Sequence, residues 1–143
     1  MTFVLDASVA LSWLLRDADA REAAYAFAVL KALRAGGIAA SVPMTWGLEI
    51  ANVLARAERK DQITEAQSES FLEMLQATRI EADSATFTQA LTDTLHLARR
   101  HHLSSYDASY LELALRAALP LATLDEDLRR AAQKAGVKHF KAS

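Results

Sequence analysis

The stretch Phe3-Val4-Leu5-Asp6-Ala7-Ser8 constrains the rest of the chain. Three apolar residues, two of them β-favouring, run into an acid, a small residue and a hydroxyl. That pattern predicts a buried strand that delivers a carboxylate to the C-terminal edge of a sheet. In open α/β sheets ligands bind outside that edge. Three later acids, Glu49, Asp107 and Asp125, stand in segments that the same geometry can bring there.

The chain has 143 residues, which makes one domain spanning 1–143 the expectation, and 52% of them are hydrophobic, enough to bury a core. A net charge of −2 gives no general attraction to nucleic acid. Nucleic-acid binding would have to rest on a local patch or on metal ions. The lack of cysteine excludes disulfides, thiolate metal sites and a Cys nucleophile. No apolar run approaches the roughly 20 residues of a membrane span, and no basic stretch precedes an apolar core as in a signal peptide. A cytoplasmic location is the default expectation. No Gly-rich phosphate loop is present, which argues against ATP or a dinucleotide.

Residues 7–15 are almost wholly apolar and predict a short buried helix, followed by the polar break Arg16-Asp17-Ala18-Asp19. Apolar residues at helical spacing predict a helix over 21–34, stopped by Gly36-Gly37. Residues 38–42 read as the second strand. Residues 45–59 form a helix whose expected apolar face is Leu48, Val53, Leu54 and Ala57. Thr64-Glu65-Ala66-Gln67 fits a capping box opening a helix to about residue 77. Two helices without a strand between them suggest an αα-hairpin standing off the sheet. A short third strand is expected at 79–81, a helix over 86–101, and a helix from Ser105 that is apolar nearly all round and therefore buried. Residues 119–123 contain a fourth strand, 125–135 the last helix, ended by Gly136, and 137–140 a fifth, edge strand. Alternating strands and helices predict an α/β fold, a mainly parallel Rossmann-like sheet of four to five strands with helices on both faces.

A helix that leaves a parallel strand starts at the C-terminal edge, and so does a helix that feeds the next strand. Asp6, Glu49, Asp107 and Asp125 are therefore all expected at one edge. Each also has an ordinary reading. Asp6 and Asp125 suit helix N-caps. Glu49 fits an exposed stripe with Thr45, Asn52 and Arg56. Asp107 lies in line with Leu111 and Ala114 on a helix that looks buried, where a lone carboxylate needs a cation, a donor or a metal. Ser8, Asn52 and Thr123 near the acids read equally as supporting donors or as cap and turn residues. The histidines His96, His101, His102 and His139 stand outside these motifs, so a metal site at this edge would be all oxygen, which suits Mg²⁺ or Mn²⁺. Such ions activate water and stabilise in-line displacement at phosphorus. Arg99-Arg100-His101-His102 reads as a solvated helix end or as a contact to an RNA backbone. Trp13 and Trp46 read as core or as base-stacking residues.

Val4-Leu5-Asp6-Ala7-Ser8-Val9-Ala10 resembles the opening motif of PIN-domain nucleases. Leu48-Glu49-Ile50-Ala51-Asn52-Val53-Leu54 resembles their Glu-x-x-Asn-x-Leu helix. Tyr106-Asp107-Ala108-Ser109-Tyr110-Leu111-Glu112-Leu113-Ala114 and Pro120-Leu121-Ala122-Thr123-Leu124-Asp125 resemble the third and fourth acidic motifs. The resemblance spans essentially the whole chain and is greatest to the VapC toxins of type II toxin–antitoxin pairs. It implies a PIN-like fold and a metal-dependent endoribonuclease in which Asp6, Glu49, Asp107 and Asp125 carry Mg²⁺ or Mn²⁺, with Asp127 able to share or replace the last. It also implies a homodimer, an RNA substrate, inhibition by a VapB-type antitoxin, and operator DNA reached only through that antitoxin. Rival readings are a PIN nuclease of RNA processing, a non-catalytic acidic binding module, and a signalling receiver. A receiver needs an acidic pair after the first strand and a late lysine, and the sequence has neither.

Overall fold

The computed structural model describes residues 2–15 and 19–142, so most of the polar break read at 16–19 lies outside the described residues. The elements run β1 (Thr2–Leu5), α1 (Ala7–Leu11), α2 (Ala20–Arg34), β2 (Ala39–Val42), α3 (Trp46–Arg59), α4 (Glu65–Gln76) and β3 (Ile80–Ala82). Then come α5 (Thr86–Gln89), a π-helical turn (Ala90–Thr94), α6 (Leu95–His101), α7 (Ser105–Ala117), β4 (Leu121–Ala122) and α8 (Glu126–Lys134). The sheet has four strands in the order β3-β2-β1-β4, all parallel. Phe3, Val4 and Leu5 are each 0% exposed although they alternate between sheet faces, so β1 is covered on both.

This order decides where a ligand can sit. From β1 the chain winds outward through β2 and β3, and β4 then returns to the other side of β1. The direction of winding reverses between β1 and β4. A crevice opens outside the carboxyl ends of two strands at such a switch point. Asp6 follows β1 there, and Thr123 and Asp125 follow β4.

Local chemistry explains most boundaries. The capping box at Thr64 is complete: its hydroxyl accepts from Gln67 N, and the Gln67 side chain accepts from Thr64 N. α2 is capped by Asp19, whose Oδ1 accepts from Glu22 N at 2.8 Å. α7 is buried from Ala108 to Ala114. Among the described residues no helix is long and apolar enough to cross a membrane.

Four expectations are corrected. The first helix ends at Leu11 and gives way to turns. Leu48 is 73% exposed. The face of α3 that reaches the core is Trp46, Ile50, Leu54 and Ala57, and Leu48, two residues from Trp46, points the other way. Residues 86–101 are interrupted by the π turn, which has no hydrophobic period of its own. The fifth strand is a single parallel bridge, Leu121 to His139. Pro120 delays the start of β4, and Phe140 fixes this segment by stacking on Phe3 with centroids 3.9 Å apart. Both tryptophans serve packing: Trp46 is buried, and Trp13 Nε1 donates to Ala26 O at 2.8 Å.

One ion network ties α7 to the end of β3. Glu112, only 5% exposed, accepts from Arg116 Nε at 2.8 Å, and Arg116 Nη2 also donates to Asp83 at 2.6 Å. Removing the guanidinium strands a buried carboxylate. Arg116→Ala should cost about 2–3 kcal/mol. Glu112→Gln added to it should recover most of that loss in urea unfolding. A single variant within 0.5 kcal/mol of wild type, on the order of an ordinary surface substitution, would show the network to be inert.

Candidate active site

The carboxylate of Asp6 is clamped by two hydroxyls. Ser8 Oγ and Thr123 Oγ1 each donate to Oδ2 at 2.7 Å. Each hydroxyl also accepts from the loop after β4: Leu124 N donates to Ser8 Oγ and Asp125 N to Thr123 Oγ1, both at 3.0 Å. Asp6 N itself donates to Ala122 O. The ends of β1 and β4 are thus zipped together around a carboxylate that is 4% exposed. Asp6 occupies the N-cap position of α1 but makes no side-chain cap bond, so capping does not explain it. Asp125 does cap: its Oδ1 accepts from Leu128 N at 2.8 Å.

Glu49 enters from the first turn of α3 and Asp107 from the first turn of α7. Tyr110 Oη donates to Glu49 Oε2 at 3.1 Å and accepts from Ala7 N at 3.3 Å. One phenol therefore joins the start of α1 to α3. Glu49 Oε1 is buried with no donor among the described residues. Asp107 N donates to Ser104 Oγ, the cap of α7. Asn52 is exposed and makes no side-chain hydrogen bond among the described residues. Asp127 is exposed too and pairs with Arg130. Tyr110 is the residue that the sequence reading missed. It was counted into the apolar wall of its helix, although it stands three residues after Asp107, one turn along the same face.

The acids share one electrostatic environment. Burial raises the Asp6 pKa, the Thr123 and Ser8 hydrogen bonds oppose this, and Asp125 adds to it. Burial pushes Glu49 up to about 7, against the Tyr110 bond and with Asp6 and Asp107 adding. Burial pushes Asp107 up to about 6, with Asp125 and Asp6 contributing next and Asp127 least. Asp6 and Asp107 therefore act on Glu49, and Asp125 acts on Asp6 and Asp107, whereas Asp127 stands at the margin.

These residues suit a hard divalent cation. The donor set is all oxygen, Glu49 Oε1 lacks a partner, and every added positive charge would relieve mutual repulsion. Among the described residues no three acidic or histidine side chains are arranged to hold an ion by themselves.

Linkage fixes the sign of the pH effect. An acid whose pKa is higher in the folded chain holds its proton more tightly there. Below the ordinary carboxylate range both states are protonated and nothing is lost. As pH rises from 4.5, the usual Glu value, through about 7, the unfolded chain ionises first and stability falls. Metal-free Glu49→Gln, which keeps an acceptor for Tyr110, should therefore flatten this decline. It should gain about 1–2 kcal/mol over wild type at pH 7.5, after discounting for solvent screening. Urea unfolding at pH 5 and 7.5 measures it. Equal destabilisation of the variant at both pH values would make Glu49 a plain structural partner.

The sequence model of the PIN domain family matches residues 3–134, a span that contains all four acids. PIN domains are generally nucleases, and generally work with divalent metal ions. Among solved structures, the chain is similar to PAE2754 from Pyrobaculum aerophilum, at 22% identity and TM-score 0.65, covering 92% of this chain and 87% of that one. It is also similar to VapBC2 from Rickettsia felis bound to a DNA fragment from their promoter, at 16% identity and TM-score 0.62, covering 91% and 92%. No protein of curated function matches it. With its acids at the switch point of a parallel sheet and the family's sequence pattern running from β1 through α8, the chain belongs to the PIN domain family.

Proposed function

We propose that this chain is an endoribonuclease that works with Mg²⁺ or Mn²⁺ and serves as the toxin of a type II toxin–antitoxin pair. The observation that carries the reading is the buried, unpartnered Oε1 of Glu49, on a carboxyl group whose pKa burial raises and Asp6 and Asp107 raise further. When bound, the ion supplies an activated water and offsets charge on the phosphate. The protein does the positioning. Ser8 and Thr123 fix the orientation of Asp6 and keep one of its oxygens hydrogen-bonded. Tyr110 holds Glu49 by Oε2 and so aims Oε1. Glu49 and Asp107, near 7 and 6, lie where a carboxyl group exchanges a proton at neutral pH. Asp125 adds negative charge and closes the edge at the start of α8.

The likeness to VapBC2 supports a VapB-type antitoxin as partner and contact with operator DNA through it; a cytoplasmic setting is part of the same proposal. An apolar hollow beside α4, lined by Trp13, Leu14, Phe71 and Met74, suits its tail. Exposed Met44, Leu48, Phe87 and Leu91 suit pairing with a second copy; Met44 N donates to Thr86 Oγ1, which brings the α3 and α5 starts together.

Purified protein should cleave RNA only with divalent metal. Asp6→Asn and Asp107→Asn should each lower cleavage about a hundredfold or more without lowering the melting temperature of the metal-free protein. Thr123→Val, which releases Asp6 and leaves the Asp125 amide without its acceptor, should cost about ten- to a hundredfold. Cleavage undiminished in excess chelator would defeat the metal reading. An inhibitor that puts an arginine among these acids must compete with the ion, so Mn²⁺ titrated into the antitoxin complex should loosen it. Affinity indifferent to Mn²⁺ would place inhibition elsewhere.

A further inference from the structure

An acidic edge on a chain of net charge −2 cannot itself hold a polyanion. Cations beside it must. Arg129 of α8, and Lys138 and Lys141 beyond Gly136, line one cleft of about 770 Å³ together with His139. Its floor includes Leu121 of β4, and Thr123 lies on its wall. Thr123, itself buried, is the same residue that donates to Asp6 at 2.7 Å, so cleft and acid site meet at one residue. No acid lines this cleft among the described residues. Arg129, Lys138 and Lys141 are exposed, and none is in an ion pair among the described residues, whereas Arg79, Arg116 and Arg130 all are.

The wall is also firm. His139 stacks on Tyr25 with centroids 4.7 Å apart, Tyr25 Oη donates to Phe140 O at 2.7 Å, and Phe140 stacks on Phe3. Burial lowers the His139 pKa and the charges of Arg129 and Lys141 lower it further, so both cations act on one imidazole. The adjoining hollow toward α2 shares Arg129, His139 and Lys141 with the cleft and adds Arg21 beside Asp19, Glu22 and Glu126, so the charged lining that is wholly cationic is that of the cleft.

We propose that this cleft is the track for the sugar–phosphate backbone of single-stranded RNA on one flank of the scissile bond. Arg129, Lys138 and Lys141 hold phosphates there, and Thr123 marks the point where the strand passes to the acids. The inference rests on the nuclease reading and adds the path of its substrate.

The test uses the full chain and a fluorescein-labelled single-stranded RNA, with chelator for binding and Mn²⁺ for cleavage. The variant Arg129→Gln/Lys138→Gln/Lys141→Gln should bind about tenfold or more weakly, and its salt slope should be shallower by about 2, from three contacts at about 0.7 each. In cleavage KM should rise by the same factor with kcat within about twofold, because the acids are untouched. Lys31→Gln/Arg34→Gln/Lys60→Gln removes the same charge from residues that do not line the cleft, and should bind like wild type. If the triple variant folds poorly, Lys138→Gln/Lys141→Gln should still flatten the slope by about 1.4. Wild-type affinity and slope in either cleft variant, while wild type cleaves RNA, would overturn the track and leave the nuclease reading standing. A wild-type chain that neither binds nor cleaves RNA would overturn both. A variant that keeps RNA but loses a polyglutamate peptide would make the cleft a dock for an acidic protein segment and overturn the track.

Discussion

Everything at the switch point depends on how Asp6 is kept inside the protein. A carboxylate at 4% exposure is expensive to hold without partners. Ser8 and Thr123 supply two donors, and their oxygens are in turn fixed by backbone amides of the β4–α8 loop. Sheet continuity, loop conformation and acid orientation are thus one arrangement. Loosening either hydroxyl frees the charge and unties the loop.

The same edge gathers charge that the fold tolerates rather than favours. Glu49 and Asp107 are drawn toward protonation by burial and by their neighbours, whereas Glu112, nearly as buried as Asp6, is neutralised by Arg116. The contrast separates two uses of a buried acid. Glu112 has its cation built in and ties α7 to β3 through Asp83. Among the described residues Asp6, Glu49, Asp107 and Asp125 are in no ion pair.

Much of this was legible in the residues. The apolar run into Asp6, the alternation of strands with helices, and the Thr64 capping box follow from strong local rules, and the structure has each of them. The convergence of the acids follows from parallel-sheet topology, and the structure puts them in one field. What failed was side-chain direction. Leu48 looked apolar enough for the core and faces out, because helical phase, not hydrophobicity, decides. Tyr110 was counted as apolar wall, since nothing local says that its hydroxyl meets an acid 61 residues earlier. Asp125 caps α8, as its ordinary reading has it, and Asp127 pairs with Arg130 on the exposed face. Asn52 shares a motif with Glu49 yet points to solvent.

The central strand is made first and one of its two neighbours late. Thr123 meets Asp6 across 117 residues, and Phe140 stacks on Phe3. During synthesis β1 can pair with β2 early, but its other side stays open until β4 emerges. Contacts this distant in sequence form slowly and close the fold as a unit. A nascent chain thus holds Asp6 through 117 residues of synthesis before Thr123 can clamp it. The making of Asp6 and its orientation are thus separate events, and the second waits on the last strand of the sheet.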